Sequence, residues 1–379
     1  MVLLREVPFS KLDINETEFD RVREVLSSGW LTHGPYTEKF EKLFCDYTGA
    51  KYCTTVSNCT AGLHLSCLAA GFSDGDEVIV PAQTHTATAH AVELTGAKAV
   101  FVDVDYETAN ISITDIKNKL SDKTRGIIPV HMAGFPCQMD EIMAICDENN
   151  LILIEDCAHA LGTLYQSKHV GNFGIAGNFS FYPTKQITTG EGGVIITNDK
   201  KIYDFVRTHK AFGIDTPPKM RHKPGLYDVR TLGLNYRLTD FQSALGLGQL
   251  ERYDSNLKSR KENAKLYENL LSKSDKLEFL KYNDDSSYFI FQILLHDNIS
   301  RDKLIFHLKK RNIGCSIHYA TPVPLMTYYK RKYGYKLGDF PMAEKYGENV
   351  ITLPIHSGLV KADIMYVCKT IIDFLEKTN

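Results

Sequence analysis

The feature of this sequence that most constrains its fold is a series of short apolar runs, each long enough for one β-strand. Segments with the apolar spacing of helices lie between runs, for example at residues 63–68 and 139–146. Because neighbouring parallel strands need a crossover connection, usually a helix, the alternation predicts an α/β fold with a mostly parallel central sheet flanked by helices. The runs are at residues 52–56, 77–81, 99–105, 125–131, 151–154, 177–184 and 194–197.

The C-terminal third of the chain predicts a second, smaller domain. A length of 379 residues is too long for one ordinary core, so we expect domains at residues 1–250 and 251–379. A helical stretch that begins at Leu238 leads from the first to the second. The smaller domain is predicted to be α+β, with strands at 287–295 and 317–319, a helix at 301–311 capped by Ser300, and a final amphipathic helix that carries Ile364, Val367, Ile371 and Leu375.

Composition excludes several classes of protein. The net charge of −2 gives no electrostatic reason to expect nucleic acid or an acidic membrane as a partner. No apolar run approaches the roughly 20 residues of a transmembrane helix, and residues 1–6 lack the features of a signal peptide. The nine cysteines include no C-x-x-C pair, which argues against a disulfide framework and a zinc site. We therefore expect a cytoplasmic protein without a metal.

Two features mark the N-terminal region. The segment Asn15-Glu16-Thr17-Glu18 has the pattern of a capping box, and Gly29 suits the position after the last helical residue. The loop at residues 29–35 contains the only tryptophan and two glycines. We expect Trp30 to pack in the core.

A single lysine ends the aromatic, apolar run that starts at Gly177, and a glycine-rich loop follows it. This lysine is Lys185, and Ser180 precedes it by five residues. A lysine at a strand-to-loop junction suits an amine that traps a carbonyl group, because burial there favours the neutral, nucleophilic form. A lone lysine is more often a surface residue in a turn, so the interpretation needs a second element.

That second element is the run at residues 151–154, which leads directly into Glu155 and Asp156. Fully apolar runs are typical of central parallel strands, and ligands of open α/β sheets bind at the carboxyl ends of such strands. An acid there and a lysine beside it match pyridoxal phosphate, whose aldehyde needs an amine and whose ring nitrogen needs a carboxylate. The residues alone leave open a second interpretation of Asp156, as the N-cap of a helix.

Two other polar segments allow two readings. Ser57-Asn58 connects a strand to a helix, so the free amide groups near Cys59 and Thr60 suit a phosphate, although a simple helix cap has the same pattern. Asp103-Val104-Asp105 mimics a metal motif of glycosyltransferases. Other metal ligands do not cluster near it in the sequence, so we interpret these acids as the end of a strand.

Five segments in order resemble the DegT/DnrJ/StrS family of nucleotide-sugar aminotransferases, from about residue 13 to the C-terminus. The order and spacing of the five are the specific part of the resemblance, which implies a fold type I aminotransferase with pyridoxal phosphate bound in the larger domain. The segments are Trp30-Leu31-Thr32-His33-Gly34-Pro35, Ser57-Asn58-Cys59-Thr60-Ala61, Glu155-Asp156-Cys157-Ala158-His159, Ser180-Phe181-Tyr182-Pro183-Thr184-Lys185 and Gly233-Leu234-Asn235-Tyr236-Arg237.

The resemblance implies a role for each of these segments. Lys185 is the implied catalytic residue, and Asn235 is implied to reach the cofactor phosphate of a neighbouring subunit, which predicts a homodimer with shared active sites. His85 stands where the family usually has an aromatic residue that stacks on the ring. The implied cofactor-binding residues are Lys185, Asp156, His159, Ser180, Cys59, Thr60, His85 and Asn235, and the implied substrate-binding residues are Gly34, Arg221, His318 and Tyr319.

The function that follows from the resemblance is transfer of an amino group from an amino acid, expected to be L-glutamate, to a nucleotide-linked keto sugar. The product is expected to be an amino sugar for a surface polysaccharide or glycoconjugate. A branch of the family that dehydrates sugars carries histidine in place of the lysine, and Lys185 argues against it. Two alternatives stay open: a non-catalytic sensor of pyridoxal phosphate or a nucleotide sugar, and a transaminase for another keto substrate. The basic loop around Arg221 is either a clamp on the substrate diphosphate or a solvated surface loop.

Overall fold

A computed structural model describes residues 5–214, 216 and 222–377 of the chain. The helices are α1 (Glu16–Ser28), α2 (Pro35–Thr48), α3 (Cys59–Ala69), α4 (Thr86–Glu93), α5 (Ile113–Lys119), α6 (Met139–Asn149), α7 (Lys200–His209), α8 (Asp240–Glu251), α9 (Tyr253–Leu271), α10 (Arg301–Lys309), α11 (Thr327–Tyr333), α12 (Pro341–Asn349) and α13 (Lys361–Leu375). The strands are β1 (Tyr52–Val56), β2 (Glu77–Pro81), β3 (Lys98–Val102), β4 (Thr124–Ile127), β5 (Ile152–Asp156), β6 (Leu164–Tyr165), β7 (Lys168–His169), β8 (Ala176–Ser180), β9 (Gly193–Thr197), β10 (Leu277–Phe279), β11 (Phe291–Leu295) and β12 (Val350–Leu353).

Seven of the described strands form the central sheet, in the order β1-β9-β8-β5-β4-β2-β3. Only β9 runs antiparallel to its neighbours in this sheet, which confirms the predicted mostly parallel arrangement. Helices α3, α4, α5 and α6 pack against the strands of the four parallel pairs, as expected for a parallel sheet that is buried by its crossover helices. The strand β5 lies beside β8, so the residues at their carboxyl ends share one edge of the sheet.

The N-terminal helix confirms one local prediction and contradicts another. Asn15 and Glu18 form the capping box of α1, and Gly29 ends the helix with φ of 72°, a conformation that favours glycine. Trp30, however, is 51% exposed in the chain, so the prediction that it packs in the core is wrong. Gly29 ends α1, so Trp30 lies in the loop beyond the helix, where the described residues leave half of its side chain uncovered.

The acids of the metal-like motif stabilise local structure. The Asp103 carboxylate accepts hydrogen bonds from the amides of Met342 and Ala343, in the first turn of α12. Asp105 accepts from the amides of Glu107 and Thr108, so it closes a turn. Both carboxylates therefore satisfy backbone donors near the end of β3, in agreement with their interpretation as the end of a strand.

A buried ionisable network fixes β5 next to the loop that follows it. His131, Glu155 and Cys157 bring potential metal ligands within 4.8 Å of one another, but two of them already have partners. The Cys137 amide donates to Nδ1 of His131, so Nε2 carries the proton and donates to Glu155 over 3.1 Å. Glu155 accepts three further hydrogen bonds, from the backbone amides of Gly171, Phe173 and Gly174.

Four donors on one buried carboxylate explain its charge. Burial alone would raise the pKa of Glu155, but the hydrogen bonds from His131 and from the Gly171 and Gly174 amides outweigh it and hold the pKa below its ordinary value of 4.5. The ionised carboxylate therefore ties the end of β5 to the segment before β8. This places the next residue, Asp156, at a fixed position.

The C-terminal part of the chain has its own antiparallel sheet, β10-β11-β12, covered by α9, α10 and α13. The predicted helix at 301–311 is present as α10 with Ser300 as its N-cap, and α13 is the predicted final helix. The predicted strand at 317–319 is wrong, because only Ser316 forms a bridge to β12. The backbone carbonyl groups of His318 and Tyr319 accept hydrogen bonds from the side chains of Gln292 and Gln83 instead. The division at residues 250 and 251 stays a prediction.

No helix in the described ranges combines the length and the apolar character that crossing a bilayer requires.

We expect Glu155→Gln to lower the free energy of unfolding by about 1–3 kcal/mol, because the new amide would face a buried backbone N–H that loses its acceptor. The depressed pKa of Glu155 means that its contribution is present above pH 4.5 and is lost as the pH falls through the lower value in the folded protein. The difference between the two proteins in urea denaturation should therefore shrink in acid. Glu148→Gln, on the exposed end of α6, is the control, and equal stability of Glu155→Gln and wild type would contradict the role of the network.

Candidate active site

A cavity of about 730 Å³ opens at the carboxyl edge of the central sheet, where β5 and β8 end. Asp156 is the last residue of β5, and Lys185 lies in the loop after β8. Both line the cavity. They do not form an ion pair within 4.0 Å, so neither the carboxylate nor the amine is neutralised by direct contact with the other. The structure thus brings together the two residues on which the sequence interpretation depended.

Asp156 is 4% exposed, and each of its carboxylate oxygens accepts one hydrogen bond. Thr88 Oγ1 donates to Oδ2 over 2.8 Å, and the Ala158 amide donates to Oδ1 over 3.0 Å. A turn follows instead of a helix, so the N-cap interpretation of Asp156 is wrong. Burial raises the pKa of Asp156, while the two hydrogen bonds and the charge of Lys185 act in the opposite direction. Sequence reasoning missed Thr88, which stands on α4.

The Lys185 side chain is only partly covered because its amine faces the cavity. The surrounding protein nevertheless removes enough water to lower the pKa of Lys185 to about 8. Nζ makes no hydrogen bond to the part of the chain that the structure describes, and it lies 4.4 Å from the centre of the Phe289 ring. A lysine in this state is a better nucleophile near neutral pH than an ordinary one.

The corner between β1 and α3 presents backbone donors to the same cavity. Asn58 caps α3 by accepting from the Ala61 amide over 2.8 Å. The amides of Cys59 and Thr60 have no acceptor among the described residues, and both residues line the cavity with Ser180. Burial raises the pKa of the Cys59 thiol, which keeps it neutral. The corner is therefore both a helix cap and an anion site with two unpaired amides.

Close packing at this corner requires a glycine. Gly193 starts β9, and a Cβ there would lie 2.6 Å from the Phe179 carbonyl oxygen and 2.9 Å from the Cys59 nitrogen. Any side chain would displace the strand from the first turn of α3. The glycines after Lys185 therefore include one that the corner itself needs.

The C-terminal part of the chain supplies one wall of the cavity. Tyr319 Oη lies 3.3 Å from His159 Nε2, and the Ala133 amide donates to Nδ1 of His159 over 3.4 Å, which places the imidazole proton on Nε2. Burial and the charge of Lys185 hold the pKa of His159 well below its usual range and lower that of His318 to about 4, so both rings are neutral. Phe289 stacks on His159 with the ring centres 4.4 Å apart.

Sequence reasoning missed Phe289, which it included in the predicted strand at 287–295; the strand β11 begins only at Phe291, so Phe289 lies in the segment before it and faces the cavity. His85 is exposed at the cavity edge, where its Nδ1 accepts from the Ala87 amide as the N-cap of α4 and its ring meets Tyr319 edge-on. His64 and Tyr236 also line the cavity, 3.2 Å apart from ring nitrogen to hydroxyl.

Two of the predicted site residues that the structure describes, Gly34 and Asn235, do not line the cavity of their own chain. Gly34 caps α2 and packs so tightly on Asp240 that a Cβ would lie 2.1 Å from its carboxylate. Asn235 is exposed and accepts from Arg237 Nε. Arg221 lies outside the described residues. The first two therefore have a binding role only if another subunit brings them to a cavity.

The residues present fit pyridoxal phosphate. Two unpaired amides and the Ser180 hydroxyl suit its phosphate, the buried Asp156 carboxylate suits a protonated ring nitrogen, and the Lys185 amine suits its aldehyde. These groups come from different elements, namely α3, β5 and the loop after β8.

Known proteins of similar sequence and structure agree with this fit. GDP-perosamine synthase of Escherichia coli O157:H7 is 37% identical over 372 residues, which is 98% of this chain and 99% of that protein. The aminotransferase PseC of Helicobacter pylori, involved in the biosynthesis of pseudoaminic acid, is 27% identical with a TM-score of 0.92, covering 98% of this chain and all of that one. Spr1654 of Streptococcus pneumoniae in its PLP-form is 29% identical with a TM-score of 0.92, covering 99% of this chain and 100% of that one.

The resemblance inferred from five segments thus extends over the whole fold, and the fold type I architecture is confirmed. Residues 12–372 match the DegT/DnrJ/EryC1/StrS aminotransferase family as a whole. The chain therefore belongs to this family and is a pyridoxal-phosphate-dependent sugar aminotransferase.

Proposed function

We propose that this enzyme transfers the amino group of L-glutamate to a keto sugar linked to a nucleotide. The observation that carries the proposal is that Lys185 and Asp156 line one cavity of about 730 Å³, one from the loop after β8 and the other from the end of β5, without an ion pair between them. A relative named GDP-perosamine synthase supports a nucleotide-linked sugar as the product. The amino sugar would serve a surface polysaccharide such as lipopolysaccharide, and the enzyme would act in the cytoplasm.

Pyridoxal phosphate, when bound, supplies the aldehyde that carries the amino group and a ring that accepts electrons from the carbon that loses a proton. Lys185 would hold the cofactor through Nζ until an amino substrate replaces it. The released amine would then take the proton from the α-carbon of glutamate and deliver it to carbon C4′, as general base and then general acid. In the second half of the reaction Lys185 would move the proton back, from C4′ to the sugar carbon.

Asp156 would keep the ring nitrogen protonated through its negative charge. Thr88 and the Ala158 amide hold this carboxylate in place, one donor on each oxygen. Neutral His159 would donate Nε2–H toward the cofactor or toward Tyr319. Because it carries no charge, it would not form an ion pair with Asp156. The amides of Cys59 and Thr60, with Ser180, would bind the phosphate, and His85 would cover the ring.

The substrate-binding roles and the homodimer are parts of the same proposal. His318 and Tyr319 line the cavity and would contact the sugar. Asn235 would reach the phosphate site of the partner chain, since it is exposed and lies outside its own cavity. The segment that carries it is fixed to its own phosphate corner, because the Ser57 amide donates to the Tyr236 carbonyl over 2.8 Å.

We expect Lys185→Ala to lower the transamination rate by about 10²–10⁴-fold, the usual contribution of a positioned acid–base group. The rate is measured as 2-oxoglutarate formed from glutamate in the presence of a nucleotide keto sugar. Borohydride reduction and peptide mass spectrometry should find the cofactor on Lys185 in the wild type. Lys201→Ala, on the exposed face of α7, is the control, and normal turnover by Lys185→Ala would refute the mechanism.

Asp156→Asn should reduce the rate by about 100-fold, as removal of one charge-stabilising group at an active site commonly does. Asparagine keeps an oxygen acceptor of the same shape for Thr88 or Ala158, so we expect the fold to persist. Single-turnover kinetics with glutamate measure the loss of rate, and circular dichroism checks that the fold persists. Asp204→Asn on α7 is the matched surface control, and an Asp156→Asn enzyme with the wild-type rate would remove the carboxylate from the mechanism.

Shared active sites predict complementation between two inactive chains. Co-expression of Lys185→Ala and Asn235→Ala chains with different tags should yield a heterodimer with one intact site, and hence about half of the wild-type activity in a two-fold dimer. The two variant homodimers, each with two defective sites, are the controls and should be nearly inactive. A purified heterodimer no more active than a mixture of the two homodimers would show that each cavity uses only its own chain.

A further inference from the structure

The amine of Lys185 has an unusual neighbour. Its Nζ lies over the face of the Phe289 ring, 4.4 Å from the ring centre, and it makes no hydrogen bond within the described ranges. A cation over an aromatic face within about 6 Å is attracted by the negative face of the ring. The ring therefore favours the ammonium form, and burial opposes it.

Phe289 is held in place through its backbone and by a stacked neighbouring ring. It is 3% exposed, and Arg260 Nη1 donates to its carbonyl over 3.2 Å. Two residues earlier, Ser287 Oγ donates to the His159 carbonyl over 3.3 Å. The His159 ring lies against Phe289 at a centre distance of 4.4 Å. The Phe289 ring thus contacts both the His159 imidazole and the Lys185 amine.

The titratable groups around Lys185 come from several elements, namely Asp156 on β5, Cys59 on α3, His85 before α4, His159 after β5 and His318 in the C-terminal part. Burial keeps the Cys59 thiol protonated, and burial keeps His159 and His318 neutral. His85 uses Nδ1 as an acceptor for α4. Asp156 is the remaining candidate for a negative charge in this set, and it forms no ion pair with Lys185.

We propose that Phe289 is a positioning residue that holds the protonated Lys185 side chain in the cavity whenever the amine is not bonded to the cofactor. The proposal rests on the role of Lys185 given above. A carboxylate in the same place would bind the ammonium more tightly and keep it protonated. An aromatic face attracts the cation more weakly than a carboxylate does, so it holds the side chain in place while the ammonium can still lose its proton and then act as a base.

The test measures the ionisation of Lys185 in the apoenzyme, without turnover. Competitive labelling with acetic anhydride at a series of pH values, followed by peptide mass spectrometry, gives the pH at which half of the Lys185 amine is reactive. The wild-type midpoint is expected near the pKa of about 8. Loss of the ring removes a stabilisation of the charged form, so the midpoint in Phe289→Leu should fall, by roughly 0.5 to 1 unit.

A second set of variants separates the electrostatics of the ring from its volume. Incorporation of 4-fluoro- and 3,4,5-trifluorophenylalanine at position 289 keeps the ring in place and weakens its negative face. The midpoint should then fall stepwise with the number of fluorine atoms. Phe291→Leu is the control, because that ring is fully buried two residues away and packs on Tyr267 and Tyr282. Its midpoint should equal that of the wild type.

The outcomes separate this proposal from the catalytic one. Unchanged midpoints in the fluorinated proteins would overturn the proposal. A shift in Phe289→Leu that the fluorinated proteins do not share would overturn it too, because both results would mean that the ring acts on Lys185 only through its volume. Normal turnover by Lys185→Ala would refute the catalytic role. If normal turnover by Lys185→Ala were found together with a graded shift of the midpoint, the contact between Phe289 and Lys185 would stand and the catalytic role of Lys185 would be wrong.

Discussion

The separation of one amine and one carboxylate inside a single cavity is the constraint on which the rest of this structure depends. Lys185 and Asp156 would neutralise each other if they met in a direct ion pair, and neither would then be available to a ligand. Burial acts on them in opposite directions, because it lowers the pKa of the amine and raises that of the acid. The surrounding contacts keep both groups in the cavity without letting them touch.

Two neighbouring acids on β5 show how the fold achieves this. Glu155 points to the far side of the strand, where four donors use its oxygen atoms and hold its charge. Asp156 points to the cavity, where two donors hold its oxygens and leave the charge open to a ligand. Side chains of consecutive residues on a strand face opposite sides. The first acid therefore fixes the strand, and the second serves the site.

The C-terminal part completes the cavity through side chains that carry no formal charge. Phe289, His318 and Tyr319 line the cavity from this part, and together with neutral His159 they face the amine without adding a competing carboxylate. Arg260 and the side chains of Gln83 and Gln292 hold this wall through backbone carbonyl groups. The same wall explains why the predicted strand at 317–319 does not form, since its carbonyl groups have side-chain partners in place of a neighbouring strand.

Local patterns in the sequence determined the parallel sheet, the capped helix α1, the place of Asp156 at the end of β5 and that of Lys185 after the neighbouring strand, although β8 ends at Ser180 and leaves Lys185 in the loop. These features depend on periodicity and on caps, which act within a few residues. Tertiary structure alone decided that Phe289 meets Lys185, that Thr88 holds Asp156 and that Trp30 is exposed. Those contacts join segments far apart in the chain, and the packing of helices and sheets sets their distances. No short stretch of sequence encodes them, because a side chain's partner across the fold depends on every element between the two.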